Sequence, residues 1–304
     1  MSQDSTAAPS VEAPRCLPPD PAPRPPSFCV PAGACDCHAH ICGPQDRYGY
    51  IPERIYTPPD ALLPAYNALL DALAVERAVL VQPSFHGSDN RAMLAAMRSS
   101  RRQMRGVAVL ADDVSEREIE ELHEAGVRGA RLNIVDVKTG KGELPLDKIK
   151  RLAQRIAPFG WHIEFLMHVD EFPELDRMLA DIPCEFVFGH LGYVRSDKGT
   201  QTPGFQALLR LLRDGRAWAK FTGPYRISAG GLPHADTNAF AAALVAAAPD
   251  RLVWGSDWPH VKAAWDIPMP NDGDLFELLA TWVPDADQRK KVLVDNPARL
   301  YGFS

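Results

Sequence analysis

The chain has 304 residues, 46% of them apolar and 24% charged, with a formal net charge of −6. This is the size of an α/β barrel of about 250 residues plus an extension, and the acidic balance without a basic run excludes a nucleic-acid or anionic-membrane binder. No apolar run is long enough to span a bilayer, and the N-terminus MSQDSTAAPS has no signal-peptide pattern. With six cysteines, at 16, 29, 35, 37, 42 and 184, the chain reads as a cytoplasmic protein with reduced thiols.

In chain order, residues 1–33 are proline-rich (Pro18, Pro19, Pro21, Pro23, Pro25, Pro26, Pro31) and predict an extended or disordered arm, read as a solvated tail. Residues 34–304 predict one catalytic domain. Strands are expected at 34–38, 77–82, 105–110, 127–133, 162–168, 185–190, 217–222 and 252–257. Helical spacing lies between them at 61–73, 115–125, 146–157, 172–180, 203–212 and 239–248, and Ser115 with Glu118 forms a capping-box pattern. Eight strand–helix units imply a parallel (β/α)8 TIM barrel. An open doubly wound sheet is the rival fold, but no G-x-G-x-x-G follows the first strand.

Barrel chemistry sits at the C-terminal ends of strands. Those ends read D-C-H-A-H (36–40), G-A-R-L-N (129–133), F-L-M-H (165–168), F-G-H-L-G (188–192) and W-G-S-D-W-P-H (254–260). Strand alternation predicts His38 and His40 on the barrel side, with Cys35, Cys37 and Ala39 facing the helices as packing residues. Two alternating histidines make a polar barrel mouth, which a purely structural core would avoid.

Taken together with R-I-Y-T-P-P (54–59), V-L-V-Q-P-S-F-H-G-S-D-N (79–90), K-F-T-G-P-Y-R (220–226) and N-P-A-R-L-Y (296–301), these segments resemble the amidohydrolase superfamily, and within it the 2-pyrone-4,6-dicarboxylate lactonase-like family, from Cys35 to Gly302. The resemblance implies a hydrolase that opens a carboxylated lactone by direct attack of water. Asp257 would take the water's proton while His38, His40 and His190 polarise the carbonyl. It also implies substrate-facing roles for Tyr56 and Ser84. Arg131 and Arg226 are candidates for binding a substrate carboxylate, since a planar guanidinium suits a bidentate contact and is costly in a barrel mouth unless paired. Tyr193 stands where the family has an arginine, with Arg195 two residues on; a second expected arginine is replaced near Val137, and an expected tyrosine by Leu166. These departures shift the expected substrate from the pyrone dicarboxylate toward a muconolactone or sugar lactone.

Superfamily members generally hold one or two divalent metals, but Arg131 at the end of strand four cannot ligate a cation and removes the bridge of a two-metal site. No obligatory metal is expected. A single zinc or other divalent ion on His38, His40 and Asp257, joined by His168 or His190, stays open. His86 and His260 fall on the catalytic side and are expected near the cleft, whereas His162, at the other end of its strand, reads as structural. The small-molecule lactone is the expected partner, and a homo-oligomer is left open. The rival functions are a metal-dependent decarboxylase of an aromatic or dienoic acid, a lactone isomerase, and a non-catalytic binding protein on the same scaffold.

Overall fold

Eight parallel strands, hydrogen-bonded to one another in chain order, make up the sheet of the computed structural model, which describes residues 13–135, 144–261 and 268–304. They are β1 (Cys35–Ala39), β2 (Arg77–Val81), β3 (Met104–Ala108), β4 (Val127–Asn133), β5 (His162–Leu166), β6 (Phe186–Phe188), β7 (Ala217–Phe221) and β8 (Leu252–Trp254). Just past β8, Trp258 pairs in parallel with Ala39, and the His40 N–H donates to the Trp258 carbonyl at 2.8 Å. That contact closes the ring, so the (β/α)8 barrel expected from the sequence is the observed fold.

The helices are α1 (Leu63–Ala72), α2 (Arg91–Ser99), α3 (Glu116–Glu124), α4 (Leu146–Ile156), α5 (Leu175–Met178), α6 (Pro203–Arg213), α7 (Asn238–Ala247) and α8 (Asp272–Trp282), followed by α9 (Ala286–Lys290) and α10 (Asn296–Tyr301). The capping box on α3 is present, with the Ser115 side chain accepting from the Glu118 N–H and the Glu118 carboxylate accepting from the Ser115 N–H. Helices α2, α8, α9 and α10 lie outside the segments that helical spacing predicts. The buried face of α2 is only Ala92, Met93 and Ala96, a stripe too small to stand out in a hydropathy pattern.

Expected strands six and eight run too long. His190 (φ 51°) and Asp257 (φ 64°) hold left-handed backbone, which no strand can continue through, so both lie in loops beyond their strands. His168 likewise lies past the end of β5.

The expected orientation of the cysteines is overturned. Cys35 and Cys37 pack with Val79, Val81, Val107, Val187 and Val253 inside the barrel, with Tyr301 of α10 in the same cluster, and not against the outer ring of helices. The reason is a bulge. In the β1–β2 register Asp36 faces Ala78 and Ala39 faces Leu80, so β1 carries one extra residue between them. An inserted residue resets the alternation. Cys37 and His38 thus both point inward, and strict parity from His38 gives the wrong face for the residues before it.

Residues 14–28 do not behave as a solvated tail. Backbone hydrogen bonds tie Pro14 and Cys16 to Thr57 (Cys16 N–H to Thr57 O, 2.9 Å; Thr57 N–H to Pro14 O, 2.7 Å). Asn271 donates to Asp20 and to the Ala22 carbonyl, both at 2.9 Å, and Phe28 packs edge-on against Phe276. The proline-rich segment therefore lies without helix across the loop after β1 and the start of α8. No helix of the described residues is long and apolar enough to cross a membrane.

Candidate active site

The mouth of the barrel is built on Asp36. Its Oδ1 accepts the backbone N–H groups of His38 (3.0 Å) and Ser256 (2.9 Å), and its Oδ2 accepts the hydroxyls of Tyr66 (2.9 Å) and Ser256 (2.6 Å). Burial pushes this carboxyl up to about 6, against four hydrogen bonds that favour its ionised form. Asp36 thereby ties the end of β1 to the turn carrying Asp257. Asp36→Asn would turn one acceptor into a donor facing donors, with an expected loss of about 2–4 kcal/mol, to be read from the urea midpoint.

His38 and His40 converge on one carboxylate oxygen. Each Nε2 stands 3.6 Å from Oδ1 of Asp257, and the three side chains are buried. The His40 ring is fixed by its Nδ1, which donates to the Val81 carbonyl at 2.7 Å. Close approach of β8 to β1 needs Gly255, where a Cβ would fall 2.5 Å from the His38 Cβ. His190 completes the cluster, its ring centroid 5.6 Å from that of His38. Gly223 lets β7's following loop come this near, since a Cβ there would sit 2.8 Å from His190 Nδ1.

The second oxygen of Asp257 is already held. Oδ2 accepts from Nε of Arg226 at 2.7 Å and from the Tyr225 hydroxyl. Behind Tyr225 stand His260, 3.1 Å from the phenol oxygen, and Asp272, 3.0 Å from the far nitrogen of His260. Among the described residues, Oδ1 of Asp257 and Nε2 of His38 have no hydrogen-bond partner. Burial alone would raise the Asp257 carboxyl, but the Arg226 charge and the neighbouring imidazoles outweigh it and hold the group well below the ordinary carboxylate range. Burial keeps the imidazoles neutral: His38 is lowered to about 3 by burial and the Lys220 charge, His40 is lowered, and His190 lies well below its usual value.

A cleft opens over this cluster, lined by His40, Tyr56, Ser84, Arg131, His190, Tyr193, Arg226 and Asp257, with Val135, Leu166 and Val261 as apolar wall. Arg131 is anchored by a hydrogen bond from Nη1 to the Gln82 carbonyl (2.7 Å), and the Tyr56 hydroxyl lies 3.4 Å from that of Ser84. The structure thus gathers His38, His40, His190, Asp257, Arg131, Arg226, Tyr56, Ser84 and Tyr193 into one place. His86 is not among the residues lining the cleft: it is buried behind Phe85, with Nδ1 3.2 Å from the Gly49 carbonyl. His260 is buried one residue behind Asp257's partner Tyr225. Arg195 points to solvent and pairs with Asp197. His168 is turned onto Tyr193, with Nδ1 2.7 Å from its carbonyl. The replacement near Val137 lies outside the described residues.

Among the described residues, the group able to hold a metal ion is His38, His40 and Asp257; neither His168 nor His190 belongs to it. Sequence patterns do not single out four participants: Tyr225, Asp272, and the buried pair Glu164 and Lys220, which meet beneath His38. Tyr225 is visible beside Arg226 in K-F-T-G-P-Y-R. Glu164 and Lys220 are visible as charges in the middle of apolar strands.

An eight-stranded parallel barrel with two histidines at the end of its first strand and an aspartate past its last defines an enzyme scaffold with its polar site at the C-terminal mouth. The family model described as Amidohydrolase matches residues 35–303, and the chain belongs to that family. The chain is 39% identical over 289 residues to the 2-pyrone-4,6-dicarboxylate hydrolase of Comamonas testosteroni, covering 92% of this chain and 93% of that protein. It is 36% identical over 291 residues to the 4-sulfomuconolactone hydrolase of Hydrogenophaga intermedia, covering 95% of each. It is 32% identical over 285 residues to the D-galactarolactone isomerase of Agrobacterium fabrum (strain C58), covering 92% and 94%.

Proposed function

We propose that this protein hydrolyses a carboxylated lactone by direct attack of water, with Asp257 as the general base. The observation that carries the reading is the unequal treatment of the two Asp257 oxygens. Oδ2 is saturated by Arg226 and Tyr225, while Oδ1 is buried, without a hydrogen-bond partner among the described residues, and aimed at the imidazoles. A carboxylate held this way keeps one oxygen free to take a proton from a water lodged beside His40. The new C–O bond forms at the lactone carbonyl, the ring C–O bond breaks, and the proton taken by Asp257 is available for the departing oxygen. Substrate oxygens developing charge would lie toward His38 and His190. The relatives named as lactone hydrolases support this reaction class.

Arg131, and the Nη1 of Arg226 left over by Asp257 and the Val261 carbonyl, would receive the substrate carboxylate, with Tyr56, Ser84 and Tyr193 as hydroxyl contacts. Leu166 and Val135 make the rest of the wall apolar. The substrate inferred from this lining is a muconolactone- or sugar-lactone-like acid in preference to a dicarboxylate.

His38, His40 and Asp257 each bring a ligand atom close to the others, and these three residues would hold a divalent cation, with Nε2 of His38 then giving up its proton. Bound there, a divalent ion would supply Lewis-acid polarisation of the carbonyl. We propose that it is not obligatory, because the Asp257 charge is already balanced by Arg226 and Arg131 brings a second fixed cation to the same cleft. Lactone hydrolysis is expected to survive exhaustive chelation with no metal found by elemental analysis. Loss of activity restored by one equivalent of a divalent ion would favour the metal-dependent decarboxylase reading instead.

The pH dependence follows from the charges. Asp257 is the active base only when ionised, so kcat/KM against pH is expected to fall only below the ordinary carboxylate value of about 4. Arg226→Met removes the main positive charge holding that carboxyl down, so the acid limb is expected to move to higher pH. An unmoved limb in this variant would separate the limb from Asp257.

The isomerase is the second reading, because one relative is named as such. It would use the same base without net consumption of water.

A further inference from the structure

Beneath His38, inside the barrel, Glu164 of β5 and Lys220 of β7 form an ion pair that is sealed from solvent, 2.6 Å between Oε2 and Nζ. A buried pair of this kind is weak as a stabiliser, since apolar residues of similar size usually serve as well. Its placement is specific. Lys220 Nζ also donates to the Cys37 carbonyl at 2.7 Å, gripping the β1 bulge, and lies 3.3 Å from Nδ1 of His38. The other Glu164 oxygen lies 3.2 Å from the same Nδ1. His38 therefore has both a donor and an acceptor at its inner nitrogen. Among the described residues His40 has the Val81 carbonyl there, which accepts and cannot donate, so a neutral His40 carries its proton on Nδ1 and a bare lone pair on Nε2.

We propose that Lys220 and Glu164 are positioning residues for the reaction, with Lys220 donating to Nδ1 of His38 so that this imidazole alone of the two presents an N–H at Nε2. Two observations support that tautomer. The third N–H of a fully buried ammonium has His38 Nδ1, 3.3 Å away, as the atom placed to accept it, and leaving that bond unmade would be costly. A lone pair on His38 Nε2 would also put three acceptors together, with both imidazoles 3.6 Å from Asp257 Oδ1; one N–H relieves this. The two histidines then divide the labour. Resting on the lactonase reading, His38 is the donor to the carbonyl oxygen as charge develops on it, and His40 is an acceptor that orients the attacking water.

The test is long-range ¹H–¹⁵N correlation NMR on the full chain labelled at histidine, with His38 and His40 assigned by single substitution. The expected result is a proton on Nε2 of His38 and on Nδ1 of His40. In Lys220→Met, Glu164 becomes the sole partner of Nδ1. The His38 proton should move there, and kcat should fall by about 10²–10³-fold, the usual effect of losing one oxyanion donor, with KM within a few-fold. Glu164→Gln should retain the Nε2 proton, because an amide can donate to Nδ1. Wild-type His38 with its proton on Nδ1 overturns the proposal, and this holds even where Lys220→Met does not fold. An unshifted tautomer and unchanged kcat in a folded Lys220→Met also overturn it. The tautomer is read without turnover, so a chain that opens no lactone would sink the lactonase reading while the spectra still decide the role of Lys220.

Discussion

Asp257→Asn is expected to lower kcat by about 10²–10⁴-fold, the range for loss of a positioned general base, with KM changed little. The geometry makes this substitution unusually clean. Arg226 Nε and the Tyr225 hydroxyl are both donors aimed at Oδ2, and they will hold the amide oxygen in that place. The amide nitrogen is then forced into the Oδ1 position, where it faces the His40 imidazole and has N–H groups instead of a lone pair. Volume, charge-independent packing and the cleft walls are unchanged. The acid limb of the pH profile should vanish with the base. Steady-state kinetics on a carboxylated lactone, with thermal unfolding to show that the fold is kept, checks both expectations.

Arg131→Leu is expected to cost about 3 kcal/mol, roughly 10²-fold in kcat/KM, mainly through KM. Arg131 comes up from β4 into the cleft and spends Nη1 on the Gln82 carbonyl, which fixes the plane of the guanidinium and leaves its other N–H groups for a ligand. A carboxylate meeting that fork in a narrow, partly apolar cleft forms charge-assisted hydrogen bonds that water does not replace. Arg131→Lys should recover only part of the loss, since an ammonium lacks the planar fork. The substrate's methyl ester separates the two explanations of any defect. If Arg131 binds the carboxylate, wild type and variant should differ far less on the ester than on the acid. Equal losses on both would place Arg131 in a structural role.

The fold is readable because eight short apolar runs separated by helical spacing are local signals, and each survives in the structure with only its ends moved. The ends move for a local reason as well: His190 and Asp257 leave their strands through left-handed backbone, at a cost of about 1–3 kcal/mol each that the surrounding contacts must hold. The polar ends of strands one, four, six and eight are readable for the same reason, being attached to elements whose direction is already known. The orientation of Cys35 and Cys37 is not. It depends on one extra residue in β1, and an insertion is defined only against a partner strand that periodicity within β1 does not contain. The ion pair of Glu164 and Lys220 joins residues 56 apart in sequence, and nothing short of the closed barrel brings β5, β7 and β1 together under one imidazole. His86 shows the converse failure. Lying in the right loop, it is turned away by Phe85 and Tyr50, whose packing the loop sequence does not announce.

Reaction of a carboxylated lactone in H₂¹⁸O measures the central claim most directly. Water delivered by Asp257 to the carbonyl carbon should leave one ¹⁸O in the newly formed carboxylate and none in the released hydroxyl, with no labelled product above background from Asp257→Asn. A product isomeric with the substrate and free of label, or label confined to the hydroxyl, would contradict it.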